Sequence, residues 1–258
     1  MATPLVSIRH LITDSWDAYL KHWNHLMEVS LWLLLFPLIH LALAFAFGWA
    51  PPSMTNTVLS VVQLLDRLFA VWIMIRLMRI TLARDPKEEG LIIHNLRASW
   101  AEYWPYFLIS LLGSLAIFGG AALLFFPGVW LAVSFVFAQF FFLDDGVRGV
   151  NALAASAELV KGRWWPTFGR IVATGMFFFL LTIFCLSMIN FFASLIIGVD
   201  TVNRVMEAMR LSFWEPITVE TLRLRSAGNF LSTIPQAIFL PIFVIALSKL
   251  YRSLKETR

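Results

Sequence analysis

Amphipathic stretches alternate with long apolar runs along the chain, and the segment from Leu91 to Leu143 shows the alternation best. Leu91–Trp104 carries an apolar stripe, and an apolar run follows from Pro105 to Leu143. As helix, those about 39 residues would measure roughly 58 Å at 1.5 Å per residue. A bilayer core is only about 30 Å thick, so the run predicts two crossings. No Lys, Arg, Asp, Glu or His falls between Tyr106 and Leu143. The turn between the two crossings lies between Gly119-Gly120 and Pro127-Gly128. Pro127-Gly128 is favoured, because proline is tolerated in a first helical turn.

The same reading predicts four further spans: about Met27–Phe47, Thr57–Met78, Ile171–Ile197 and Gly228–Leu250. The fifth span is long enough to tilt, kink or protrude. Pro235 and Pro241 are expected to kink the sixth. About 25 mostly polar residues precede the first apolar run, so an uncleaved first span is expected rather than a signal core.

Three stripes at three- and four-residue spacing precede span pairs: Ile8, Ile12, Trp16, Tyr19, Trp23; then Ile92, Ile93, Leu96, Trp100, Tyr103, Trp104; then Val150, Leu153, Ala157, Val160, Trp164. This spacing puts each stripe on one helix face. Trp and Tyr suit the headgroup level, so three interfacial helices are predicted. A fourth stripe, Val202, Val205, Met206, Met209 and Phe213, predicts a short helix on the opposite leaflet. The fold class is therefore all-α: a single integral membrane domain over 1–258 with six transmembrane helices. The order helix–span–span occurs three times, giving candidate repeats 5–80, 88–143 and 147–250. Ser15…Trp23, Asn95…Tyr103 and Ser156…Trp164 are one alignment. Ser15-Trp16 with Ser99-Trp100 and Tyr19 with Tyr103 are another.

Composition agrees with lipid as solvent. Hydrophobic residues make up 59% and charged residues 14%, against about 25% charged in soluble domains. The net charge of +4 comes from Lys and Arg at span ends, so it signals anionic lipid and not nucleic acid. The first two outer loops hold no Lys or Arg. The third holds Arg204, Arg210, Arg223 and Arg225, which weakens the bias without reversing it. Both termini are expected to be cytoplasmic. The single cysteine, Cys185, excludes an internal disulfide.

No phosphate loop, nucleophile elbow or His-Glu-x-x-His motif occurs, so no cofactor, metal site or enzyme activity is expected. Asp66 and Arg67 are the main anomaly. Arg76 marks one end of the second span, and Asp66 lies ten residues on, about 15 Å away and near mid-membrane. An ion there costs at least roughly 2.5–3.5 kcal/mol. His40 should sit at similar depth. A His40–Asp66–Arg67 cluster would line a polar path or bind a headgroup; a structural ion pair, or a partly interfacial second span, is the alternative. Lys161, Arg163 and Arg170 beside Trp164 and Trp165 suit contact with anionic lipid, or plain anchoring. Asp144-Asp145 would cap a hairpin end or take a cation.

Pro127-Gly128, and Ala152-Leu153 through Ser156 to Lys161-Gly162-Arg163-Trp164, resemble a family of bacterial six-span inner-membrane proteins. That family is similar to the membrane domain fused to some glycerophosphodiester phosphodiesterases. The resemblance implies a bacterial plasma membrane. It implies no catalytic residue, because phosphodiester chemistry in such fusions belongs to a soluble domain without counterpart here. The expected function is non-enzymatic: organising lipids, partner membrane proteins or further copies of this chain. A small-solute or lipid transporter using His40, Asp66 and Arg67 is the alternative.

Overall fold

The structure is a computed structural model and describes residues 5–47, 49–83, 96–210 and 218–257. Ile92, Ile93, Asn95, Phe213 and the charges from Arg84 to Glu89 lie outside them, as do the side chains of Leu96 and Ser99. The helices are α1 (Ile8–Lys21), α2 (Trp23–Ser30), a 3-10 turn (Leu31–Leu34), α3 (Leu35–Ala46), α4 (Pro52–Leu82), α5 (Leu96–Leu123), α6 (Phe125–Phe135), α7 (Ala138–Asp145), α8 (Val150–Val160), α9 (Trp164–Ile197), α10 (Val199–Arg210) and α11 (Val219–Glu256). Among the described residues there is no strand.

Among the described residues, six helical stretches are long and apolar enough to cross a membrane: Trp23–Ala46, Ser53–Leu82, Trp100–Leu123, Phe125–Asp145, Trp164–Ile197 and Val219–Glu256. The chain is an all-α, multi-pass membrane protein. α9 makes the case most strongly, because none of its most apolar 18-residue window is buried within the protein. Its 34 residues would span about 51 Å, well beyond the hydrocarbon core. Phe179, Phe184, Phe191 and Phe192 are all exposed on it, which only lipid or another apolar surface tolerates.

The chain divides into two compact units. One comprises Met1–Val29, Met74–Phe177 and Pro241–Arg258, and the other Ser30–Ile73 and Phe178–Leu240. In the first unit, α5 and α6 form a hairpin that turns at Leu124, the one extended residue between them. Pro127 sits in the first turn of α6, where its missing N–H costs nothing. Pro105, expected to open the third span, lies inside α5 instead. The hairpin is tight because of glycine. A Cβ on Gly128 would lie 2.7 Å from Ala121 Cβ and 2.8 Å from Ala121 Cα, and backbone cannot swing aside as a side chain can.

The fourth span breaks between α6 and α7, and α8 repairs the break. Ser156, fully buried, donates to the Ser134 carbonyl at 2.6 Å and accepts the Phe137 N–H at 3.2 Å. In hydrocarbon those backbone groups would have no water to turn to. α8 therefore points Leu153, Ser156 and Val160 at the hairpin. Its stripe, expected on lipid, mostly faces protein; Val150 is the exposed exception. α1 divides its surface differently: Leu11, Ser15 and Tyr19 are buried, whereas Ile8, Trp16, Leu20 and nearby Trp23 are exposed.

In the second unit, Ala44, Leu59 and Leu222 form a small core. α10 buries Val202, Val205 and Ala208, while Met206 and Met209 of the same stripe are exposed. Val205 and Met209 reach Gly228 of α11.

Gly128→Leu is expected to lower the thermal midpoint of the detergent-purified protein sharply. Gly119→Leu, where an added Cβ meets nothing within 4 Å, is expected to leave it unchanged or raise it. Helix content followed by circular dichroism during heating checks the pair; equal midpoints would show that the hairpin is not glycine-limited.

Candidate functional site

The polar half of the first unit converges on the last turns of α11. Tyr251 is fully buried, with Phe140 at 5.5 Å and Phe141 edge-on at 5.2 Å between ring centroids. Its hydroxyl donates to Asp144 Oδ2 at 3.2 Å and lies 3.4 Å from Asp145 Oδ2. One turn on, Lys255 Nζ donates to Asp144 at 2.8 Å and Asp145 at 2.7 Å. The cation that Asp144-Asp145 takes is thus a lysine of this chain. Gly146 ends α7 in the left-handed conformation (φ 71°), which leaves both carboxylates at the helix end.

Neighbouring residues of α11 hold other segments. Arg252 Nη2 donates to the carbonyls of Leu82 at 2.7 Å and Thr81 at 3.3 Å, capping α4. Lys249 Nζ donates to the Asp14 carbonyl of α1 at 2.5 Å. Ser253 Oγ accepts the Val6 N–H at 3.3 Å. Burial pushes the Tyr19 phenol up from its ordinary value, so it stays a neutral donor on α1's protein face.

Two members of the expected lipid-contacting stripe are engaged here too. Arg163 donates to Thr257 Oγ1, and to the Thr257 carbonyl at 2.6 Å. Arg170 holds the carbonyls of Val6 at 2.6 Å, Pro166 at 2.9 Å and Leu5 at 3.3 Å. Trp164 Nε1 donates to the Trp130 carbonyl at 3.2 Å. Lys161 is paired with Glu158 at 2.9 Å, exposed on both sides. Trp165 is exposed. Arg163 and Arg170 therefore tie the segments near the two chain ends and Trp164 ties the hairpin, while Trp165 and Lys161 face outward.

The other expected site lies in the second unit. His40 is buried, and its Nε2 is 3.3 Å from Gln63 Nε2. If the amide donates, the ring proton sits on Nδ1, which is buried with no partner among the described residues. Gln63 lies three residues before Asp66, on the same face of α4. Asp66 is half-buried and Arg67 exposed. No hydrogen bond or ion pair joins His40, Asp66 and Arg67 among the described residues. Arg67 points about 100° away from its neighbour, and its long stem lets the head leave the helix surface.

Sequence reasoning missed the convergence on α11. Its trace was the pairing of an acidic hairpin end, Asp144-Asp145, with a basic tail, Tyr251–Arg258. Three of the four arginines of the third loop have a structural account as well. Arg223 Nε donates to the Ala44 carbonyl at 3.3 Å, in the last turn of α3. Arg225 Nε donates to Ala208 at 3.2 Å, in the last turn of α10. Arg204 pairs with Glu220.

No family model, curated protein or solved structure matches the chain. Among the described residues no cluster of His, Cys, Asp or Glu has the makings of a metal site.

Lys255→Gln and the double change Asp144→Asn, Asp145→Asn are expected to destabilise non-additively. The coupling should be about 1–2 kcal/mol, at the low end for charged hydrogen bonds because Lys255 is partly exposed. A double-mutant cycle by chemical unfolding in detergent measures it; additive effects would remove the clamp from the account.

Proposed function

We propose that this protein is a non-enzymatic, multi-pass protein of the bacterial plasma membrane, with both termini cytoplasmic, that organises lipids or partner membrane proteins. The carrying observation is the contrast between its two kinds of surface. Among the described residues, several ions of the first unit are engaged in internal ties, as described for Lys255, Arg163 and Arg170. What α1, α2, α5 and α9 turn outward instead is indole: Trp16, Trp23, Trp100, Trp104 and Trp165 are all exposed. Exposed tryptophans at span ends suit the headgroup region, with an apolar ring body and one N–H donor. The Lys and Arg bias and the likeness to bacterial inner-membrane proteins support the membrane and orientation.

Transport is the second reading, and one observation favours it. His40, Gln63 and Asp66 place polar groups in the apolar lengths of α3 and α4, where such groups are costly and commonly functional.

One experiment separates the two. The reconstituted protein is expected to show no flux above protein-free liposomes for protons, Na+, K+, phosphate or amino acids. Native mass spectrometry is expected to find retained lipids, unchanged in Asp66→Asn and depleted when Trp16, Trp23, Trp100, Trp104 and Trp165 are changed to Gln. Flux that Asp66→Asn abolishes would replace the organising role with transport.

A further inference from the structure

A cleft of about 150 Å³ opens in the first unit between α1–α2, the end of α4 and α11. A single water needs about 10–15 Å³ by the same kind of measure, so the space suits a polyatomic group. Leu26, Ile80 and Ile245 give it an apolar wall, and Lys249 and Arg252 give it two cations. These two are three residues apart on α11, hence on one face. Like charges so placed repel, and among the described residues neither is neutralised by contact. Lys249 and Arg252 are fixed by main-chain carbonyls of Asp14, Thr81 and Leu82, which bring a dipole but no full countercharge. Among the described residues, no carboxylate lies within 4.0 Å of either head. The carboxylates that act on Lys249 from farther off are Asp14 and Asp17 of α1.

The donors have capacity to spare. Arg252 uses Nη2 on α4, while Nε and Nη1 have no partner among the described residues. Lys249 spends one of three N–H donors on Asp14. His22 lines the same cleft, and the next residue, Trp23, is exposed, as a headgroup-level indole would be. Two clamped cations above an apolar wall match a phosphate carried on an apolar stem. A bare carboxylate or a sugar would use only part of this.

We propose that the Lys249–Arg252 cleft binds the phosphate of an anionic phosphate ester, with its apolar part along Leu26, Ile80 and Ile245. The site deepens the lipid-organising reading and rests on it. The cations supply charge-assisted hydrogen bonds, and the carbonyl ties hold them in place beforehand. Asp14 and Asp17 lower the net field, so binding stays moderate in strength, and because the attraction is between charges it weakens with salt.

The test uses the full chain in detergent. Dioctanoyl phosphatidylglycerol, dioctanoyl phosphatidylcholine and glycerol phosphate are titrated and binding is read by native mass spectrometry. Lys249→Gln removes a cation. Ala18→Phe fills the cleft without touching charge. Arg252 is left alone because it caps α4. Each variant is expected to bind the phosphatidylglycerol about tenfold more weakly than the unchanged chain. Preference for phosphatidylglycerol over glycerol phosphate would place the source in the bilayer, and equal binding of both would show that Leu26, Ile80 and Ile245 hold no apolar stem and overturn that part of the proposal. Binding within about twofold of the unchanged chain in both variants, or no preference over phosphatidylcholine, would overturn the proposal. Loss of one headgroup-selective lipid tests the cleft; general lipid depletion in the tryptophan variants tests the broader reading, so either can fail alone.

Discussion

A helix leaves its last carbonyls without partners, and hydrocarbon offers no water to take them. This constraint organises the molecule. Arginines of α11 meet it at three helix ends: Arg223 at α3, Arg225 at α10 and Arg252 at α4. A guanidinium suits the task, because it stays charged and its forked donors meet the negative end of the helix dipole. Arg163 returns the favour at Thr257, where α11 itself ends. The break in the fourth span obeys the same rule with a smaller tool, the Ser156 hydroxyl.

Because α11 serves as the common strut, charge and aromatic character fall to different surfaces. Its C-terminal end collects α1, α4, α7 and the start of α9 through Lys249, Arg252, Lys255 and Thr257. The aromatic packing around Tyr251 shields its buried ring, which strengthens the hydrogen bonds of its hydroxyl. Outward-facing indoles, and one cleft with two clamped cations, are what the first unit offers to its surroundings. Both fit an apolar, phosphate-rich neighbourhood better than a soluble substrate.

Much of the architecture was legible because hydrocarbon imposes long uncharged runs, and such runs survive any detail of packing. Pro127 marked the third turn correctly because proline's missing N–H is harmless in only a few helical places. Pro105 misled for a related reason: a helix can absorb one proline when neighbouring packing holds it, so the residue marks a weak point and not a boundary. α8 misled because periodicity reports which face is apolar and not what covers it. Leu153 and Val160 face the hairpin, where Trp16 and Trp23 of a similar stripe stay exposed. The α11 junction was least legible. Its partners are separated by 94 residues or more, 111 for Lys255 and Asp144, and nothing local in the sequence encodes such a pairing.

The proposed orientation has six crossings and both chain ends on one face. In a Cys185→Ala background, single cysteines at Thr13, Glu256, Trp49 and Met206 can be probed with a membrane-impermeant maleimide on sealed, right-side-out vesicles. Thr13 and Glu256 should stay protected until the vesicles are lysed, whereas Trp49 and Met206 should label at once. Thr13 and Glu256 reacting from opposite faces would contradict the arrangement.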